Sequence, residues 1–297
     1  MPKKFNFTHH LRLQSSTFYL ASLWLSPQIR PDVAKLYYFC RYLDDLADKP
    51  NQRHQGHIAT ILADIANGSN HHPISQHMHA IIETHQIPNT VPVSLIKGIQ
   101  KDLTNIKIES QQALIQYAYE VAGTVGIMMA HILDTKSTEA QHHAIDLSIA
   151  MQLTNIARDV YEDASIGRRY LPGQWLNHAS PDDIINRQPT TQIYVNQAIY
   201  KIIQLAETYY DSGMAGIHYL PTQYQNAILK AALLYQKIGH NLMRMPNPFQ
   251  STKTRLTLVK KLPILLKNAH LNPTLPEHPI HLHNDICHLP FTHHVGN

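Results

Sequence analysis

Residues 152–163 read Gln152-Leu153-Thr154-Asn155-Ile156-Ala157-Arg158-Asp159-Val160-Tyr161-Glu162-Asp163. Gln152, Asn155, Asp159 and Asp163 are spaced three, four and four, with mostly apolar residues between them. Residues at that spacing share one face of an α-helix. Two amides and two carboxylates therefore form a line down a mostly apolar helix. A polar line on such a helix points to a wet cavity inside a helical bundle.

A second acidic stretch lies upstream: Arg41-Tyr42-Leu43-Asp44-Asp45-Leu46-Ala47-Asp48. Six of the chain's 21 acidic residues fall in these two short places. Asp44 and Asp48 share a helix face, as do Asp159 and Asp163, and like charges four apart repel. If such a face is buried, a cation, an Arg or a proton must offset the repulsion. The donors are oxygens only, which suits Mg²⁺, a hard cation that keeps waters and shares its site with phosphate oxygens. Two solvated acidic faces paired with Lys or Arg would be the plain alternative. That alternative suits either stretch alone better than both together.

The rest of the chain agrees with a helical reading. Apolar residues recur at helical spacing over 32–48, 110–134, 138–164, 190–220 and 222–243, with shorter runs over 52–67, 74–85 and 91–105. Pro31, Pro50 and Pro221 stand at the ends of such runs. Few stretches alternate with period two, and there are only 11 glycines in 297 residues. This argues against a turn-rich β fold and against glycine loops for a nucleotide. With 43% hydrophobic residues the chain can bury a sizeable core. The expectation is an all-α, single-domain helical bundle over 1–266, followed by a Pro/His-rich tail over 267–297. Histidines 270, 278, 281, 283, 288, 293 and 294 give the tail a metal-binding composition, although 22 histidines are spread over the whole chain.

Net charge is +4 and no Lys/Arg patch is interleaved with aromatics, so nucleic acid is not expected as a partner. The two cysteines, Cys40 and Cys287, suggest no disulfide framework and a reducing compartment. No run of about 18 apolar residues occurs, and the N-terminus does not read as a signal peptide.

Two further segments carry chemistry. In Ser165-Ile166-Gly167-Arg168-Arg169-Tyr170-Leu171-Pro172, Arg168 stands just past the helix end. It can fold back over the acidic line to hold phosphate, or cap its own helix. In Tyr117-Ala118-Tyr119-Glu120-Val121-Ala122-Gly123-Thr124-Val125-Gly126, each helical glycine costs about 1 kcal/mol relative to Ala. Such glycines mark close packing or a kink that opens a cavity. Tyr117, on the face of Val121 and Thr124, would then face that cavity.

In this order these elements resemble the squalene and phytoene synthase family, over about residues 12–260. Cys40-Arg41-x-x-Asp44-Asp45-x-x-Asp48 is similar to its first Asp-rich motif. Asn155-x-x-Arg158-Asp159-x-x-Glu162-Asp163 with Arg168-x-Tyr170-Leu171-Pro172 resembles its second motif and flap. Tyr117 to Gly126 resembles its Tyr-x-Tyr-x-Val-Ala-Gly-x-Val-Gly segment, and Ser15-Ser16-Thr17-Phe18-Tyr19 its diphosphate-contacting Ser-x-Ser-Phe stretch. Gln14 stands where the family often has His, and Thr17 where it has the second Ser. Tyr235 sits where the family often has a cavity Tyr.

The resemblance implies an isoprenoid synthase bundle with a central cavity. It implies a prenyltransferase that condenses two prenyl diphosphates head to head through a cyclopropylcarbinyl diphosphate. Asp44, Asp48, Asn155, Asp159 and Asp163 would hold Mg²⁺, with Mn²⁺ as a substitute. Ser15, Thr17, Arg41, Gln152, Arg158, Arg168 and Tyr170 would contact substrate. Phe18, Tyr37, Tyr117 and Tyr235 would line the cavity with Val121, Ala122, Val125 and Gly126, and Tyr117 would assist proton transfer.

The leading product is phytoene, from two geranylgeranyl diphosphates in carotenoid biosynthesis. Counting back from Asp44 at ~1.5 Å per residue, Tyr37 lies about 10 Å away and Ala34 about 15 Å. Ala34 and Ser22 are small, which leaves room for a C20 tail. Two farnesyl diphosphates giving squalene, with NADPH, is the alternative, and no Gly-rich dinucleotide motif favours it. A head-to-tail synthase would want paired adjacent aspartates where Arg158-Asp159-Val160 stands. A non-catalytic assembly factor would not need all four motif aspartates. An apolar product leads one to expect a cytoplasmic protein in peripheral contact with the inner face of a membrane.

Overall fold

The computed structural model describes residues 6–49, 51–250, 263–265, 282, 286, 288 and 289. Among the described residues up to 250, twelve α-helices follow one another: α1 (Phe7–Gln14), α2 (Ser16–Ser22), α3 (Arg30–Asp48), α4 (Gln52–Asn67), α5 (Pro73–His85), α6 (Thr90–Gln100), α7 (Gln111–Ala118), α8 (Thr124–Ile132), α9 (Thr138–Ser165), α10 (Pro181–Ile185), α11 (Pro189–Ala215) and α12 (Thr222–Met243). Among the described residues the only β pairing is an isolated bridge between Lys107 and Arg169. The all-α expectation holds.

Local chemistry sets the helix ends. Side chains of Asn51, Ser110 and Ser137 cap α4, α7 and α9 by accepting from backbone N–H groups. Ser180 and Asp183 form a reciprocal capping box on α10. Pro31 and Pro189 occupy first turns, where a missing N–H costs nothing. Gly68, at φ 73°, ends α4 in the left-handed conformation that a side chain would strain.

The run expected as one helix over 110–134 is broken. Between α7 and α8, residues Tyr119–Gly123 wind as a π-helix. The run over 91–105 ends early, at Gln100, and tightens into a 3-10 turn, Lys101–Thr104. Near the N-terminus α1 stops at Ser15, whose side chain caps α2.

A large apolar core joins the bundle, with a smaller cluster of Leu25, Leu133, Tyr224 and Ala227 beside it. α9 packs along α11, α8 and α12, whereas α3 packs on α1, α4, α5 and α6, so these two helices stand on opposite sides of an internal space. Close approach shapes its far end. A Cβ on Gly126 would sit 2.3 Å from the carbonyl oxygen of Ala144, and one on Gly216 would sit 2.1 Å from Cβ of His143. Of the tail, Leu282 and Ile286 are buried in the same core, and Leu282 accepts a hydrogen bond from Tyr209 at 2.9 Å. The other tail residues named above, apart from His288, lie outside the described residues, as does Cys287.

Candidate active site

A cavity of about 1040 Å³ occupies the space between α3 and α9. Asp44 and Asp48 line it from α3, and Gln152, Asn155, Asp159 and Asp163 line it from α9. The four carboxylates belong to two helices that are distant in sequence, and they share one polar end. α9 bends at Asp159, whose φ of −104° and ψ of 15° leave the helical region.

The electrostatics record the crowding. Burial first, and then the charge of Asp48, lift the Asp44 carboxyl to about 7. Asp44 is exposed, but its open surface gives onto the cavity. Asp163 is pushed well above the carboxylate range, by burial and then by Asp159, against the pull of Arg168, with Asp102 and Asp48 adding to the rise. Acids on α3 and α9 thus feel each other across the space.

Cations surround the acids. Arg41 lines the cavity and pairs with Asp45 at 2.5 Å. Arg158 forks onto its neighbour Asp159, with Nε donating to Oδ1 at 2.7 Å. Arg168, itself buried, reaches across to α3. Its Nη1 donates to Asp48 Oδ1 at 2.8 Å and its Nη2 to the carbonyl of Ala47 at 2.7 Å. Of the two roles open to Arg168, the structure shows the reach across the cavity end, toward α3 and not α9.

Ser15, Thr17 and Gln14 border the same space. Ser15 Oγ accepts from the N–H of Phe18 at 3.2 Å as the cap of α2, which leaves its own proton to donate. Below the polar end the lining is apolar and aromatic. The Phe18 ring lies 6.0 Å from Tyr37 and 5.0 Å from Tyr235, and Val121, Ala122, Val125 and Gly126 form the opposite wall. Burial pushes the Tyr37 hydroxyl up to about 12, so both it and Tyr235 stay neutral.

Three expected residues stand off this lining: Tyr117, Tyr170 and Arg168. Tyr117 stacks on Tyr170 at 5.0 Å and donates to both oxygens of Asp102, at 3.1 and 2.9 Å. Tyr170 donates to the same carboxylate at 2.8 Å. The placement of Tyr117 on the cavity face is therefore corrected. The π-helix begins two residues later, so a face counted at 3.6 residues per turn does not carry through it. Ala34 is fully buried away from the cavity, and Val33 and Ser22 line that end. Asp102 went unnoticed in the sequence because it stands alone in a 3-10 turn, with no partner acid at helical spacing.

The donor set fits a divalent cation with an anionic ligand. Among the described residues no three acidic, His or Cys groups form a ready-made metal cage. Asn155 Oδ1 and Arg41 Nε, however, are buried without a hydrogen-bond partner. The first is an acceptor suited to a cation, and the second a donor suited to an anion. A cation completed by a ligand's own oxygens is the usual habit of Mg²⁺.

Comparison with known proteins agrees with this geometry. The family model described as squalene/phytoene synthase matches residues 11–260. The 15-cis-phytoene synthase of Paracoccus sp. (strain N81106 / MBIC 01143) is 34% identical over 237 residues, covering 76% of this chain and 77% of its own. That of Pantoea ananas is 30% identical over 85% of this chain and 86% of its own. A dehydrosqualene synthase solved in complex with ligand superposes with a TM-score of 0.75 at 25% identity, covering 87% of this chain and 92% of that one. The squalene synthase HpnC from Alicyclobacillus acidocaldarius shares the fold, with a TM-score of 0.69 at 22% identity over 80% of this chain and 92% of its own. The bundle with its central cavity is thus the isoprenoid synthase fold. A match spanning most of the chain, together with facing acidic rows over an aromatic cavity, makes this chain a member of the squalene/phytoene synthase family, a family of prenyltransferases.

Proposed function

We propose that the protein joins two molecules of geranylgeranyl diphosphate head to head to give phytoene, through a cyclopropylcarbinyl diphosphate. The observation that carries this reading is the cavity itself, with carboxylates of α3 and α9 at one end and an apolar, aromatic wall below. Names borne by relatives at 30% identity and above support the C20 substrate and the phytoene product.

Asp44, Asp48, Asn155, Asp159 and Asp163 would hold Mg²⁺, or Mn²⁺ in its place, which supplies charge neutralisation for a departing diphosphate. Arg41 and Arg158 border the same end and add fixed positive charge where negative charge develops. The hydroxyls of Ser15 and Thr17, with the amide of Gln152, orient the phosphate oxygens. Phe18, Tyr37 and Tyr235 offer π faces to the allylic cation. Val121, Ala122, Val125 and Gly126 keep water from it. Loss of a proton ends the sequence without a reductant. NADPH would be needed only for squalene.

Among the described residues no helix is long and apolar enough to cross a membrane. Exposed Leu13 and Ile166 stand on the cavity lining, which supports peripheral contact with a bilayer that receives the product. Flotation with liposomes tests this, and protein confined to the dense fraction counts against it.

The central test incubates purified protein with Mg²⁺ and either C15 or C20 diphosphate and analyses a hexane extract. A C40 hydrocarbon without added reductant is the expected result. A C30 hydrocarbon, a longer linear diphosphate, or no turnover with either substrate would each overturn it.

A further inference from the structure

The cavity wall does not explain Asp102. It is 7% exposed, lies behind the lining, and accepts hydroxyl protons from Tyr117 and Tyr170 on both its oxygens. A carboxylate out of water is costly unless paired and hydrogen-bonded. The hydroxyls of Tyr117 and Tyr170 and the positive charge of Arg168 favour the ionised form of Asp102. Burial raises its carboxyl to about 6, while Arg168 and the two tyrosines pull the other way.

The backbone explains how these groups meet. The turn bearing Asp102 runs into residues 106–109, which are stitched to the flap. Ile106 accepts from Arg169 N–H, Ile108 donates to the carbonyl of Arg169, and Gly173 donates to that of Ile108, each at 2.9 Å. Asp102 and the flap therefore form one unit. From its edge the Arg168 guanidinium extends to Asp48 and Ala47 on α3. The flap side chains Arg168 and Tyr170 both answer to Asp102, one by charge and one by hydrogen bond.

We infer that Asp102 is a positioning residue for the proposed reaction. Its buried carboxylate, braced by Tyr117 and Tyr170, fixes the Arg168 guanidinium against Asp48 at the polar end of the cavity. Asp102 touches no substrate in this reading and acts through Arg168. The role requires a carboxylate. An Asn at this place would turn an NH₂ group toward one of two hydroxyl donors and would remove the negative charge that attracts Arg168. The inference rests on the functional reading above.

The test measures binding of inorganic pyrophosphate with Mg²⁺ by calorimetry, alongside thermal unfolding, for wild type, Asp102→Asn, Arg168→Lys and the double variant. Asp102→Asn is expected to weaken binding about tenfold, the scale of a lost hydrogen bond to a charged group. Its effect should be strongly non-additive with Arg168→Lys, because residues in one network couple. Unchanged affinity with a lowered Tm would mark Asp102 as packing only and overturn the proposal. Additive losses would do the same, since Asp102 would not then act through Arg168. Should Asp102→Asn not fold, Tyr170→Phe removes one brace and should weaken binding severalfold, and wild-type affinity in that variant overturns the proposal. A wild-type protein that binds no Mg²⁺-pyrophosphate would overturn the functional reading and this inference together, an outcome distinct from the others.

Discussion

Arg168 and Asp48 lie 120 residues apart in sequence, yet the guanidinium donates to the carboxylate at 2.8 Å and so ties the flap to α3 beside the polar end of the cavity. Asp48 is 44% exposed, so water screens the pair and it adds little to stability. Its weight falls on function. Arg168→Ala should lower kcat/KM by about a hundredfold or more, the cost of removing one preorganised charge from a transition state. It should also lower the denaturant midpoint, because it strips the buried Ala47 carbonyl of its donor and leaves Asp102 and Asp163 without a neighbouring cation. Steady-state kinetics and urea unfolding of the same preparation check both.

The acids predict an unusual pH response. Asp44, near 7, and Asp163, held well above the usual carboxylate range, keep protons in the folded protein that the unfolded chain releases around pH 4. Between about pH 4 and about pH 7 the folded state therefore binds more protons. These carboxyls make the stability of the metal-free protein fall as pH rises, and the opposite pull of His10, His72 and His131, which burial keeps from protonating, only partly offsets them. In EDTA, Tm should drop from about pH 5 to about pH 8. Mg²⁺ with pyrophosphate should restore it at the higher pH while releasing protons to the buffer. A Tm that rises over that range in EDTA would contradict the argument.

By the same reasoning Asp44→Asn should separate stability from activity. It removes a charge that the free protein accommodates poorly and so should raise Tm at about pH 8. It should also cost about a hundredfold or more in turnover. Differential scanning fluorimetry and a product assay on one sample decide the point.

Cavity depth offers a third lever. Ser22 is buried on the lining, and Ser22→Phe would fill space at that end. Turnover of the C20 substrate should fall at least about fivefold relative to C15, since steric exclusion by extra core volume costs about 1–3 kcal/mol. Chromatography of the hydrocarbon from mixed-substrate incubations reads the ratio.

Helix contact around the cavity is equally specific. Gly126→Ala would drive a Cβ to within 2.3 Å of the Ala144 carbonyl oxygen. The neighbour is backbone and cannot swing aside, so about 1–3 kcal/mol of destabilisation is expected, measurable by urea unfolding.

The rows of acids were legible because a 3.6-residue period turns spacing into a face, and both Asp44/Asp48 and Asp159/Asp163 lie in helices that carry the period. Tyr117 was misplaced for the complementary reason. The π-helix at Tyr119–Gly123 changes the winding between it and Val121, and the two glycines that signalled irregular packing do not reveal which way the register moves. The sequence singled out Arg168 but not its partner on α3, because a residue past a helix end has no face. Asp102 left no pattern at all. Its meaning comes from three groups, Tyr117, Tyr170 and Arg168, that only the tertiary fold gathers.

The break at Asp159 has a mechanical corollary. Upstream, the rod that bears Asn155 is clamped by α11 and α12. Downstream, the carbonyl of Asp163 accepts from the N–H groups of Ile166 and Arg168, so the last turn is built into the loop that follows. A ligand gripped by Asn155 and Asp163 at once therefore spans an articulation, like an object held between wrist and fingers. A swing of that loop would change the grip itself.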